Sequence, residues 1–332
     1  MKTITVSGLR NGVIHVKHGQ RTLAAAVAAA VLTFVGGCGS SGGDAAGSAP
    51  SSGDALAVVA TTPEVADFVR NIAGDDVTVT QIIKPNVDPH EYEPTPADIQ
   101  AIGAAKVVVK NGVGLESWLD QTIESAGFAG TVVDASQGVQ LRAGDPDDEE
   151  TRDGDPHIWH NPQNAKIMVQ NIERGLATAD PAHAATYQAN LGSYSAKLDK
   201  LDADNAAAFA KLPADQRKLV TNHDAFGYYI DRYQLEFVGS VIPSMDTSAE
   251  LSAKQLNDLV AKIRSTGTKA IFTESSLPPK TAEAIAKQAG VKVVGGEDAL
   301  FGDSLGEQGT PQGTYLGAEE HNTQVIVSAL GG

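Results

Sequence analysis

The chain has 332 residues and a single cysteine, Cys38. No disulfide can close within it, so the fold must stand on an apolar core and on whatever it binds. Positive charge is scarce as well: 25 lysines and arginines face 41 acids, for a formal net charge of −16, and aromatic residues make up only 5%. Nothing in that balance would neutralise a phosphate backbone, which argues against a nucleic-acid partner. The acidity suits a soluble protein that meets cations, although solubility alone accounts for it equally well. The apolar run at residues 22–35 falls short of the roughly 20 residues that a membrane-spanning helix needs. No His-Glu-x-x-His motif of the zinc proteases occurs. What remains, 42% hydrophobic and 20% charged, is ordinary for a globular protein. The length leaves room for two domains at roughly 100–200 residues each.

The amino terminus reads as an address. Arg10, Lys17 and Arg21 form a basic leader without an acid, and the apolar run after it ends in Val35-Gly36-Gly37-Cys38. That tetrapeptide resembles the bacterial lipobox. The resemblance implies cleavage before Cys38 and lipidation of Cys38, so that residues 1–37 are a lipoprotein signal peptide. Their removal discards four basic residues and no acids, leaving the mature chain near −20. Residues 39–54, GSSGGDAAGSAPSSGD, lack large apolar side chains, so residues 38–54 are expected to be a flexible tether. The protein is therefore expected outside the cytoplasmic membrane of a bacterium, held by lipid on Cys38 and not by a spanning helix.

From residue 55 onward, short β-branched runs alternate with helical patterns. Residues 55–60, 77–83, 105–109 and 131–133 predict strands in the first half. Residues 218–221, 235–241, 270–273 and 291–294 predict strands in the second. Thr95-Pro96 marks a helix start, a side-chain cap followed by proline at the first helical position. The alternation predicts an α/β fold of two similar lobes, each a mostly parallel four-stranded sheet flanked by helices. Between them, Asp180-Pro181 reads as another cap and first turn. Tyr187, Leu191, Tyr194, Leu198 and Leu201 then recur at steps of four and three, the apolar stripe of one helix about 45 Å long. The expected layout is an amino-terminal lobe over 55–179, a rigid connecting helix over 180–212, and a carboxy-terminal lobe over 213–332.

Six histidines follow the leader, and their settings separate them. His90 lies in NVDPHEYEP after a strand, His157 in DPHIW before a helix start at Asn161-Pro162, and His223 in TNHDAFGY after another strand. Asp303, in FGDSL, again follows a strand. Loops at strand carboxyl ends are where open α/β sheets bind ligands, and these four come two from each half. A cleft between the lobes is where they could converge.

The segments NVDPHEYEPTPADI, DPHIWHNP, HDAFGYY and FGDSLGEQG…TY resemble, in order and spacing, the signature stretches of the metal-binding solute-binding lipoproteins of zinc and manganese ABC importers. The resemblance covers essentially all of the chain from residue 55. It implies two α/β lobes with the metal between them and His90, His157, His223 and Asp303 as metal ligands. It also implies a permease of the ABC type in the cytoplasmic membrane as partner, and no catalysis. Three neutral imidazoles and a carboxylate suit Zn²⁺, with every position filled by protein and none left for a reactive water. Manganese prefers more oxygen donors, and the family's manganese specialists commonly carry Glu where this chain has His223, so zinc is the expected cargo and Mn²⁺ the alternative. From another class, a surface zinc hydrolase or a metal-dependent adhesin would use the same residue types.

Glu274, at a strand end, and His160 are candidates to stand behind the ligands, Glu274 by holding an imidazole ring. His183 and His321 read as surface residues, and Trp159 and Phe226 as packing. The acidic stretch 144–155, GDPDDEETRDGD, stands where zinc-specific relatives often carry a histidine-rich loop, and reads as a solvated loop. The chain is expected to act as a monomer. With ordinary imidazoles, metal affinity should fall as pH drops through about 6.5.

Overall fold

The computed structural model describes residues 55–144, 152–249 and 251–331. The expected signal peptide, the tether with Cys38, and residues 145–151 of the acidic stretch lie outside the described residues. In the first half, strands β1 (Leu56–Ala60), β2 (Val77–Gln81), β3 (Val107–Lys110) and β4 (Thr131–Asp134) form one parallel sheet in the order β2-β1-β3-β4. Alternation along β1 shows why both faces must be covered. Val58 and Ala60 enter one apolar core, while Val59 enters another with Ile82, Ile102 and Leu119. The helices that cover these faces are α1 (Pro63–Ala73), α2 (Pro96–Ala104), α3 (Leu119–Ala126) and α4 (Pro162–Ala179). Thr95 caps α2 in a full capping box with Asp98, and Asn161 caps α4, each with proline in the first turn.

The second half repeats the plan with β5 (Lys218–Thr221), α6 (Gly227–Tyr233), β6 (Glu236–Ser240), α7 (Ala253–Thr266), β7 (Ala270–Phe272), α8 (Lys280–Ala289), β8 (Lys292–Val294) and α9 (Tyr315–Gly331). Leu219 packs with Phe209, Tyr229 and Ile326 on one face, and Val220 with Leu259, Ile263 and Ile285 on the other. The ladders here join β5 to β6 and β7 to β8, all parallel, with β5 lying against β7. The described strands of this half thus form two two-stranded sheets, β5-β6 with a bulge between Leu219 and Val220 and β7-β8, where one four-stranded sheet was expected.

The long helix α5 (Ala184–Phe209) begins three residues later than Asp180-Pro181 suggested. Asp180 ends α4 instead, its N–H bonding the carbonyl of Leu176. Its carboxylate accepts from the Tyr187 hydroxyl at 2.8 Å and lies 2.6 Å from His183 Nδ1, so the acid serves the turn between two helices and not the first turn of one. The apolar stripe holds: Tyr187, Leu191, Tyr194, Leu198 and Leu201 are buried in the first core, and Phe209 enters the second. At 26 residues the helix is about 39 Å long and packs on α1, α4 and α9.

Two substitutions on α5 separate packing from propensity. Leu198 is fully buried, so Leu198→Ala should cost about 2–5 kcal/mol. Gly192 is exposed with open space around it, so Gly192→Ala should stabilise by about 0.5–1 kcal/mol. Denaturant midpoints of the two variants should therefore move in opposite directions.

Candidate metal centre

Parallel sheets send the carboxyl ends of their strands to one edge, and the four candidate residues sit on segments that follow such ends. His90 follows β2, His157 follows β4, His223 follows β5, and Asp303 follows β8. Asp88 Oδ1 accepts from the backbone N–H of His90 at 3.0 Å, and Asp155 Oδ1 accepts from that of His157 at 3.0 Å. The same Asp-Pro-His tripeptide thus folds the same tight turn twice. The loop bearing Asp303 crosses close over Glu274. Gly302 permits this, since a Cβ there would come within 2.0 Å of Glu274 Oε2.

The structure brings His90, His157, His223 and Asp303 together, with one donor atom of each lying within 4.8 Å of the others. His157 and His223 are fully buried, Asp303 is 1% exposed and His90 8%. The Nε2 atom of His157 lies 3.3 Å from that of His90 and 3.4 Å from that of His223. Asp303 Oδ1 stands 3.2 Å from His157 Nε2, and its Oδ2 stands 2.9 Å from His223 Nε2 and 3.7 Å from His90 Nε2. A tetrahedral ion with donors at about 2.0–2.1 Å sets edges of about 3.3–3.4 Å between them. The measured edges scatter around that value.

The charges of the cluster suit a cation. Asp303 is buried, yet neither of its oxygens has a well-aligned hydrogen bond. Burial alone would raise its pKa, but the imidazoles of His223 and His157 hold it well below the usual carboxylate range. The rings divide. Burial pushes His90 down to about 4. For His157 burial acts in the same direction, but Asp303 and Asp155 outweigh it and bring the pKa up to about 9. His223 is likewise opposed by burial and raised well above its ordinary value by Asp303 and Glu274.

Behind the rings stand two buried carboxylates. Glu274 Oε2 lies 2.8 Å from His223 Nδ1, and Oε1 accepts from the His223 backbone N–H at 3.0 Å. Asp155, which sequence reasoning did not single out, accepts from His157 Nδ1 at 2.8 Å. The signal for it was present: an Asp two residues before a candidate ligand, in a tripeptide that occurs twice. His160 is not part of the cluster. Its Nδ1 lies 2.7 Å from Glu319 Oε1 on α9, and its ring stacks on Phe226 at 4.5 Å. Trp159 packs edge-on to His157 and donates to the carbonyl of Gly302 at 3.1 Å. His183 is exposed beside Asp180, and His321, partly buried, lies 3.0 Å from the carbonyl of Ala299. Among the described residues no helix is long and apolar enough to cross a membrane.

Residues 58–329 match the family described as zinc-uptake complex component A, periplasmic. The zinc-binding protein TroA of Treponema pallidum is 36% identical over 277 residues, 82% of this chain and 88% of that protein. A manganese ABC transporter substrate-binding lipoprotein, PsaA of Streptococcus mitis, is 32% identical over 290 residues, 84% of this chain and 90% of that one. Among solved structures, the periplasmic zinc-binding protein TroA superposes with a TM-score of 0.77 at 34% identity, covering 84% of this chain and 99% of its own. A cadmium-bound periplasmic metal-binding protein from Candidatus Liberibacter asiaticus superposes at 0.72 with 26% identity, covering 82% and 99%. The two-lobed α/β fold and the match over nearly all of the described chain make this protein a member of the zinc-uptake complex component A family, the substrate-binding components of ABC transporters.

Proposed function

We propose that this chain captures a divalent transition metal, zinc in preference to manganese, outside the cytoplasmic membrane and delivers it to the permease of an ABC importer. The observation that carries this reading is the buried cage of His90, His157, His223 and Asp303, two donors from each half of the chain, with tetrahedral spacing. We assign all four as the ligands. Three nitrogens and one oxygen at that spacing favour zinc, whereas manganese favours more oxygen donors and a larger coordination number. The relatives carry both zinc and manganese names, so the preference rests on the donor set and not on them. Because protein fills all four positions, no site is left for the bound water that a zinc hydrolase would need. Glu274 holds the His223 ring in this reading, as such outer partners commonly do.

The rest of the proposal follows from the sequence. Cys38 carries the lipid that keeps the protein at the membrane, residues 39–54 are the tether, and the chain works as a monomer. The lobes are assigned to 55–179 and 213–332, with 180–212 as the rigid connection between them.

Elemental analysis of the purified protein should find one zinc per chain. Competition titrations should rank zinc above manganese, and His223→Ala should lose or greatly weaken the zinc. Absence of stoichiometric metal, or equal binding by the variant, would overturn the ligand set.

Proton competition gives a second expectation. Only neutral imidazole binds metal. His90, with its pKa near 4, is already neutral at pH 7, but His157 holds a proton up to about 9 and His223 is raised as well. Apparent zinc affinity should therefore keep rising as pH climbs from 7 towards 9, and fall as pH drops. That window lies above the one expected of ordinary histidines near 6.5. Zinc binding at pH 7 should release at least one proton, seen as a dependence of the calorimetric binding enthalpy on the ionisation enthalpy of the buffer. A profile flat above pH 7 with no proton release would refute it.

A further inference from the structure

The two Asp-Pro-His turns are alike in backbone but not in what stands behind them. In the first, Asp88 spends one oxygen on the His90 N–H and the other on the Thr247 hydroxyl at 2.6 Å. In the second, Asp155 is fully buried; its Oδ1 takes both the backbone and the ring nitrogen of His157, and its Oδ2 takes Arg142 Nη1 at 2.9 Å. The Arg142 guanidinium is itself held at three points. Its Nε donates to Asp231 Oδ2 at 2.8 Å, its plane lies over the Tyr228 ring at 5.8 Å, and its Nη1 occupies the space above Gly227. A Cβ on Gly227 would stand 1.5 Å from Nη1 and 2.7 Å from Asp155 Oδ2, so only glycine leaves the seat open.

The backbone is locked at the same place. The Arg142 N–H donates to the Tyr228 hydroxyl at 3.0 Å, and that hydroxyl donates to the carbonyl of Asp155 at 2.9 Å. The Asp155 N–H donates to the carbonyl of Arg142 at 3.1 Å. Gly227, Tyr228 and Asp231 all belong to α6, the helix that begins four residues after His223.

We propose that Arg142 is a positioning residue for metal capture, fixing Asp155 so that Asp155 aims the His157 ring, in a seat that α6 of the second half completes. The physical reason is the burial of Asp155. A carboxylate with no exposure needs a counter-charge to stay ionised and a second anchor to stay oriented, and the guanidinium supplies both. Asp231 is 64% exposed in its side chain, so its own pairing with Arg142 is weak, and its part is to orient the guanidinium. Because the seat lies on the helix after His223, a properly aimed His157 requires α6 to be in place. The two central rings, 3.4 Å apart at Nε2, are thereby set by one contact region.

This rests on the assignment of His157 as a ligand, and the test keeps the two apart. Zinc affinity is measured by chelator competition for the wild type, Arg142→Met, Arg142→Lys, Gly227→Ala, Asp231→Asn, Asp155→Asn, His157→Ala, and the double variants Arg142→Met/Asp155→Asn and Arg142→Met/His157→Ala. Loss of an outer partner of a liganding histidine typically costs 10–100-fold in affinity, and Arg142→Met should fall in that range. Gly227→Ala should reproduce it by displacing the guanidinium without removing its charge. Arg142→Lys should recover part of the loss, and Asp231→Asn should change affinity by no more than a few-fold. In the Asp155→Asn and His157→Ala backgrounds, Arg142→Met should add little. That non-additivity is the readout a merely structural arginine would not produce. Affinity within twofold of wild type for Arg142→Met, or a full additive loss in the Asp155→Asn background, overturns the role of Arg142. His157→Ala binding as tightly as wild type instead overturns the ligand assignment, and this inference with it.

Discussion

Asp303 places a negative charge where neither solvent nor a well-aligned donor reaches it, facing three imidazole nitrogens at 2.9–3.7 Å. A buried carboxylate in such a setting must find positive charge. Asp303 raises the proton affinity of both His157 and His223, and a divalent cation would place two charges at one point. The arrangement around the site follows from holding that balance open. Each of the two raised histidines has a buried carboxylate at its back: Asp155 accepts from His157 Nδ1, and Glu274 Oε2 lies 2.8 Å from His223 Nδ1. For His90, burial and the two neighbouring imidazoles outweigh the opposing pull of Asp303 and Asp246, so its pKa moves the other way.

The fold brings this cluster together because parallel strands deliver several loops to one edge. Val58, Val59 and Ala60 alternate between two apolar layers, as do Leu219 and Val220, and the four clustered residues come after the strand ends. The connection between the halves is a packed helix, with Tyr187 through Leu201 in one core and Phe209 in the other. Trp159 and His160, immediately after a proposed ligand, bond to Gly302 and Glu319 of the second half.

Much of this was readable beforehand for identifiable reasons. The strands at 77–81, 131–134 and 218–221 announced themselves by β-branched runs between turn residues, and Thr95-Pro96 and Asn161-Pro162 by cap chemistry that is local to four residues. Asp180-Pro181 misled because the same residue types also close a helix-to-helix turn, and the choice between the two depends on Tyr187 seven residues away. His160, a candidate to stand behind the ligands, instead meets Glu319 and Phe226, which is a matter of where α9 packs.

The sequence by itself determined the alternation of elements, the buried stripe of the long helix and four candidate donors with distinctive local settings, because periodicity, capping and turn chemistry act over a few residues. Tertiary structure alone decided the distances between those donors, the opposite proton affinities of His90 and His157, and the union of Arg142, Asp155 and α6. These depend on residues far apart in the chain meeting at one buried place, as when Asp303 comes within 3.7 Å of His90, and no local pattern encodes such a meeting.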